Sequence, residues 1–248
     1  MQKPYLQNLK KKEEKMDDTL ILNIETSGEI CSVALTRSGA VDFERQSAEG
    51  MKHAELLAPF VDEAMAEIRR KEDRLSAVAV SIGPGSYTGL RIGLSMAKGL
   101  AYGLDIPLLG IPTLEILAVK AMFRNREWTG EEILVPMLDA RRMEVYTAAY
   151  DFALRELLSP QPLILDDDSY ISLLDSGREV WFFGDGSDKY KEICHNSAAH
   201  WLDNVKPFAR DMTALSEKYF REGKIIDRAY SVPLYLKEYQ TTKPKPKI

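Results

Sequence analysis

Histidine and cysteine are scarce in this chain, and their scarcity excludes several chemistries. The 248 residues include three histidines and two cysteines. Cys31 and Cys194 are too few for a disulfide framework or a zinc cluster. Cys31 lies in an apolar strand pattern and reads as a small buried hydrophobe. His195 and His200 have the wrong spacing for metal ligands on one helix face, which sit about three or four residues apart. His53 opens a helical pattern, where a lone imidazole belongs to the surface or a cap. No Ser/His/Asp or Cys/His set assembles from these residues. Long apolar runs are missing too: none reaches the roughly 18 residues of a membrane span. The N-terminus carries charges without the apolar core of a signal peptide, so the chain is expected in the cytoplasm. Positive charge is in deficit, with 33 Lys and Arg against 38 Asp and Glu and a formal net charge of -5. A nucleic acid would therefore be held mainly by other subunits.

The most informative stretch that is present spans 81–104, SIGPGSYTGLRIGLSMAKGLAYGL. An apolar run over 77–82 reads as a buried strand. Gly83-Pro84-Gly85 then breaks the extended path, and Ser86 and Thr88 offer oxygens to cap a helix. Two readings of the loop stay open. It is a tight strand-to-helix turn, or it is an anion site built on free helix amides. It lacks the Gly-Lys-Ser/Thr of a P-loop, and it is not a G-x-S-x-G elbow. Gly89, Gly93, Ala97 and Ala101 form a bare stripe along the helix, although each interior glycine costs about 1 kcal/mol against alanine. Close approach of another backbone would justify that cost. Leu90 and Leu94 flank the stripe on one side, and Ile92, Met96 and Leu100 on the other. Such a helix is expected to bury more than one side, one against its own sheet and one against a partner.

In chain order, 1–18 is polar and aperiodic and is expected to be a disordered extension, with Met16 as a candidate natural start. Strands are expected at 19–24, 30–36 and 40–47, joined by short turns as an antiparallel meander. A helix follows over 52–70, with Leu56, Leu57, Phe60 and Val61 on its apolar face. The strand at 77–82, the glycine helix, a strand at 106–110 and a helix at 113–122 complete a βββαβαβα order. That order is expected of an RNase H-like lobe spanning 19–123. A second, smaller lobe is expected over 131–236, with strands at 133–138, 144–150, 156–165 and 180–183. It also has helices at 169–174 and 213–221 and an extended segment at 230–236. Residues 237–248 read as a solvated lysine-rich tail. The fold class is thus α/β, two RNase H-like lobes of the actin-like ATPase (ASKHA) type.

In that class, turns after the first strand of each lobe hold phosphate and metal. Here the first turn is Glu25-Thr26-Ser27-Gly28, with one carboxylate and two hydroxyls. The second is Asp139-Ala140-Arg141-Arg142, where Asp139 supplies a carboxylate and Arg141 an anion clamp. A capped turn with a surface ion pair is the plainer alternative. Arg91 and the loop Gly184-Asp185-Gly186 complete the candidate nucleotide contacts.

Five segments carry a family resemblance: ILNIETSGEICSVAL, KHAELLAPFVDEAM, AVAVSIGPGSYTGLRIGLSMAKGLAYG, LLGIPTLEILA and MLDARRMEVYTAAYD. Together they resemble the TsaB family, formerly YeaZ, closely over 20–151 and weakly through 184–186 and 233–237. The resemblance implies a non-catalytic subunit of the bacterial machinery that makes threonylcarbamoyladenosine beside the anticodon of tRNAs reading A-starting codons. It implies a heterodimer with the paralogous transferase TsaD, with TsaE joining the pair, a homodimer as an alternative free form, and tRNA reached through the complex. ATP, adenylate and metal would belong to the partners, and this chain would have no cofactor of its own. TsaD-like proteins carry a His-x-x-x-His metal motif after the fifth strand; Thr113 and Leu117 stand at those positions here, and neither replaces an imidazole. The resemblance also implies pairing through the two first-lobe helices. Leu56, Leu57, Phe60, Val61, Gly89, Leu90, Gly93, Leu94 and Ala97 are the expected interface, with Gly93→Leu expected to break pairing in a folded monomer. Two other functions compete: an autonomous kinase or ATPase of the actin-like class, and a metallopeptidase, which the missing His pair disfavours.

Overall fold

The computed structural model describes residues 19–47, 52–124 and 127–237. The expected extension over 1–18, the Met16 start and the tail beyond Lys237 lie outside the described residues. The first half of the chain runs β1 (Leu20–Glu25), β2 (Cys31–Arg37), β3 (Ala40–Ser47), α1 (His53–Lys71), β4 (Ala77–Gly83), α2 (Tyr87–Gly103), β5 (Leu108–Pro112) and α3 (Thr113–Arg124). The second runs β6 (Ile133–Asp139), β7 (Glu144–Tyr150), β8 (Glu156–Ile164), α4 (Ile171–Leu174), β9 (Val180–Phe183), α5 (Ser187–Lys191), β10 (Ala199–Leu202) and α6 (Thr213–Glu222).

Each half builds one five-stranded sheet, and the strand order is the same in both. The first is β3-β2-β1-β4-β5 and the second β8-β7-β6-β9-β10. In each, the first strand pairs antiparallel with the second and parallel with the fourth. This is the duplicated α/β architecture expected from the element order. β1 is buried at every position because helices cover both faces of its sheet. β8 carries Pro160 and Pro162 and lies at an edge, where missing amides break no ladder.

α1 and α2 cover one face of the first sheet, where Leu57, Val61, Ala64, Leu94 and Ala97 meet Leu22, Ile24, Val33 and Val80. Arg69, Arg70 and Lys71 fill the last turn of α1, where they complement the helix dipole. α3 is buried on two sides. Ile116 and Val119 pack with Ile21, Ala79 and Ile111 of the first sheet. Leu114, Leu117, Ala118 and Ala121 pack with Leu134, Leu138, Tyr150 and Phe183 of the second. α3 is thus the helix wedged between the lobes.

Several features differ from the sequence expectations. The polar run from His195 to His200, where no strand is expected, leads into β10, with His200 stacked on Trp181 at 5.0 Å between ring centroids. α6, expected within the second lobe, packs on the first sheet, where Met212 and Leu215 join Ile21, Ala77, Leu109 and Ile111. After α6 the chain forms a strap, with a turn over 228–230, that runs antiparallel to α2. Ile226 N donates to Leu108 O at 2.8 Å, and Lys98 Nζ to Ala229 O at 2.7 Å and Ser231 O at 3.0 Å. Leu234 N donates to Ile82 O at 2.7 Å, and Lys237 Nζ reaches Glu144 Oε2 in the second lobe at 2.7 Å.

Candidate functional site

The glycine loop and the first turn form one interlocked unit at the carboxyl end of β1. Ser86 caps α2 by accepting from Gly89 N at 3.2 Å, as its sequence position suggested. Ser86 N in turn donates to Ser27 O at 2.6 Å. Thr26 Oγ1 donates to Gly89 O at 2.9 Å, and Thr26 N to Ser81 Oγ at 3.3 Å. A Cβ added at Gly89 would lie closer than 3.0 Å to the Thr26 carbonyl oxygen, and one at Gly93 equally close to Thr26 Oγ1. The backbone whose approach the bare stripe admits is therefore the chain's own first turn.

Glu25 is fully buried at the base of this unit. Its Oε1 accepts from Ser27 N at 2.6 Å and Ser27 Oγ at 2.5 Å, while Oε2 has no partner. Burial pushes its carboxyl up to about 7, against the opposing pull of the Ser27 hydrogen bonds. Thr26, Ser27 and Glu25 Oε1 are thus engaged in internal bonds at a buried position, not presented as an open phosphate contact. Arg91 occupies the exposed side of α2, over the Tyr87 ring at 4.0 Å and donating through Nε to Tyr235 OH at 3.0 Å. Asp139 accepts from Arg141 N and from Lys189 Nζ at 2.7 Å, and its own amide donates to Asp185 Oδ1 at 2.9 Å. Asp185 is raised by burial. The first turn (Gly28, Glu29, Ile30) and the second lobe (Leu138, Asp185) enclose a crevice of about 20 Å³ with Lys206 and Pro207, space for about one water. A Lys206–Glu29 ion pair at 3.0 Å spans it.

The expected pairing residues divide by burial. Leu57, Val61, Gly89, Leu90, Gly93, Leu94 and Ala97 are buried in their own lobe and offer a partner little surface. Leu56 and Phe60 keep partial exposure, and Ile92 and Met96 of α2 do likewise. The sequence pattern identified a two-sided helix without deciding which flank faces outward, because a glycine stripe signals close approach without saying whose. Gly93→Leu is accordingly a folding lesion and not a selective pairing lesion. His53, expected at the surface or in a cap, is buried, and its Nε2 has no partner. The contributions of Ser81, Lys189 and Tyr235 were missed because each reaches the site from a distant segment with no local motif. Among the described residues, no three His, Cys, Asp or Glu side chains converge as metal ligands.

Known proteins share this construction. A family model described as TsaD, tRNA N6-adenosine threonylcarbamoyltransferase, matches residues 48–242. The tRNA threonylcarbamoyladenosine biosynthesis protein TsaB of Escherichia coli is 30% identical over 224 residues, covering 88% of this chain and 94% of that one. The TsaB protein of Bacillus subtilis is 34% identical over 175 residues, covering 70% and 74%. The structure of YeaZ from Pseudomonas aeruginosa superposes with a TM-score of 0.73 at 26% identity, covering 88% of this chain and all of that one. With the GPGSYTGLRIG loop locked onto the first turn and the similarity spanning both lobes, the chain belongs to the TsaB family of tRNA threonylcarbamoyladenosine biosynthesis proteins.

Proposed function

We propose that this chain is a non-catalytic subunit that pairs with a TsaD-type paralogue and supports its transfer of the threonylcarbamoyl group to tRNA. The observation that carries this reading is the state of α3. Thr113 and Leu117, at the positions of the transferase's metal-binding histidines, are fully buried in the helix wedged between the lobes. Neither side chain offers an imidazole, and the site they would need is filled by packing. The crevice beside the first turn, with space for about one water, favours the same reading over a nucleotide-binding kinase. The proposed pairing surface is the outward face of α1 and α2 around Leu56, Phe60, Ile92 and Met96. A TsaE-type ATPase, the adenylate, the metal and tRNA enter through the assembled complex, and the site of action is the cytoplasm.

Threonylcarbamoylation is to be measured in a mixture of TsaD, TsaE, the adenylate-forming enzyme and tRNA. Modification is expected only when this chain is added, and none from this chain alone. Full activity in its absence would overturn the proposal. Calorimetric titration of ATP into the isolated chain is expected to show no saturable heat; saturable binding would favour the autonomous ATPase.

A further inference from the structure

We infer that a surface hollow at the amino-terminal end of the second sheet binds an organic carboxylate, held by Arg155 and Arg178 with its apolar body against Phe152. The hollow measures about 600 Å³, and its lining includes Gly130, Glu131, Asp151, Phe152, Arg155 and Arg178. Small-molecule sites span roughly 300–1,000 Å³. Its rims come from three places: the segment before β6, the turn between β7 and β8, and the segment before β9. Asp139 and the Gly184-Asp185-Gly186 loop lie at the opposite, carboxyl ends of β6 and β9, so the hollow is separate from the crevice beside the first turn. Two buried carboxylates hold the rims. Asp151 accepts from Ala153 N and Arg155 N, both at 2.9 Å, which closes the β7–β8 turn. Glu132 accepts from Thr129 N at 2.8 Å and from Gly130 N at 2.9 Å. Phe152 is half-buried, with Trp128 packed edge-on against it at 5.6 Å between ring centroids.

Both guanidinium groups are oriented by internal bonds that leave part of each fork free. Arg155 Nε donates to Asp151 Oδ2 at 2.6 Å, while its side chain is 80% exposed. Arg178 ties two rims together, donating through Nε to Glu131 O and through Nη2 to Glu132 O at 3.1 Å. Among the described residues, nothing engages the terminal nitrogens of Arg155 or Nη1 of Arg178. A planar fork held in place suits a carboxylate, which accepts two parallel N–H bonds. Charge narrows the ligand further. Asp151 and Glu132 are consumed by internal donors, which leaves two arginines and the exposed Glu131 carboxylate at the hollow. That balance favours a singly charged carboxylate over a doubly charged phosphate, because Glu131 repels the second charge. The half-buried Phe152 ring favours a ligand with an aromatic or aliphatic body. Walls already fixed by Asp151, Glu132 and Arg178 keep the ordering cost of binding low.

The test is titration of 3-phenylpropionate into the full chain, followed by tryptophan fluorescence. Trp128 packs on Phe152 and so reports occupancy of the hollow. Saturable binding with a Kd of about 1 mM is expected. Arg155→Gln and Arg178→Gln are each expected to weaken it about tenfold, since each removes charge-assisted hydrogen bonds. Arg155→Lys keeps the charge but loses the fork, and its affinity is expected to fall between parent and Arg155→Gln. Circular dichroism confirms that each variant is folded. Arg178 also ties the rims, so the exposed Arg155 decides the outcome. Inorganic phosphate is not expected to displace the probe. No saturable response from the parent chain, or equal binding by parent and Arg155→Gln, would overturn the inference. Phosphate that competes as well as 3-phenylpropionate would reveal an unselective anion site and would overturn it too.

Discussion

Gly89→Ala is expected to lower the free energy of unfolding by about 2–3 kcal/mol, even though alanine is the better helix former. Propensity alone favours the substitution by about 1 kcal/mol. The added methyl, however, would press on the Thr26 carbonyl oxygen, which is backbone and cannot rotate away. Overpacking of a buried site costs about 1–3 kcal/mol and more where nothing yields. The turn is pinned from several directions, by Thr26 N on Ser81, Thr26 Oγ1 on Gly89 O and Ser86 N on Ser27 O. Gly99→Ala is the matched comparison on the same helix. Its methyl meets open space, so it is expected to gain about 0.5–1 kcal/mol. Urea unfolding midpoints read both changes. Shifts of the same sign would mean that the stripe does not seat on the first turn as described.

Glu25→Gln is expected to stabilise the chain by about 2–3 kcal/mol at pH 8 and by little at pH 5. The native carboxyl titrates at about 7 because burial disfavours its charge, whereas the unfolded group titrates near 4.5. Between these values the folded state holds a proton that the unfolded state has released, so unfolding becomes easier as pH rises. The contribution is fully present below about 4.5 and lost by about 7, a difference worth roughly 3 kcal/mol. Glutamine keeps an oxygen for the Ser27 donors and carries no charge to desolvate. Asp211 also acts on Glu25, raising its carboxyl further, and is itself raised by burial. The difference between parent and variant isolates Glu25 from such neighbours. A parent-minus-variant stability that is flat from pH 5 to pH 8 would show that the carboxylate finds a partner that this geometry lacks.

Elements with strong periodicity were legible in the sequence. The apolar run of β1, the wide stripe of α1 and the Ser86 cap of α2 each follow from local chemistry. The repeat of strand order was legible only as two rounds of similar elements, because the two halves share no sequence repeat. What escaped was long-range. α6 shows an ordinary amphipathic pattern that states which face is buried but not against which sheet. The glycine stripe foretold a close approach, yet the approaching backbone belongs to Thr26, more than sixty residues earlier in the chain. The candidate site was legible in its residue types but not in its bonding. Glu25 and Asp139 were found as polar residues at strand ends, but their bonding to Ser27, Lys189 and Asp185 exists only after folding.

The return of α6 and the strap to the first sheet has a consequence for synthesis on the ribosome. β1 to α3 emerge first, yet one face of their sheet lacks Met212 and Leu215 until the chain has grown by about another 90 residues. At the usual pace of translation that interval lasts roughly 5–20 s. Throughout it, the cover over Ile21, Leu109 and Ile111 is limited to what α3 supplies. The second lobe must therefore be made, and can fold, while the first is still unfinished. Nascent chains stalled between α3 and α6 are the ones that should recruit chaperones most strongly.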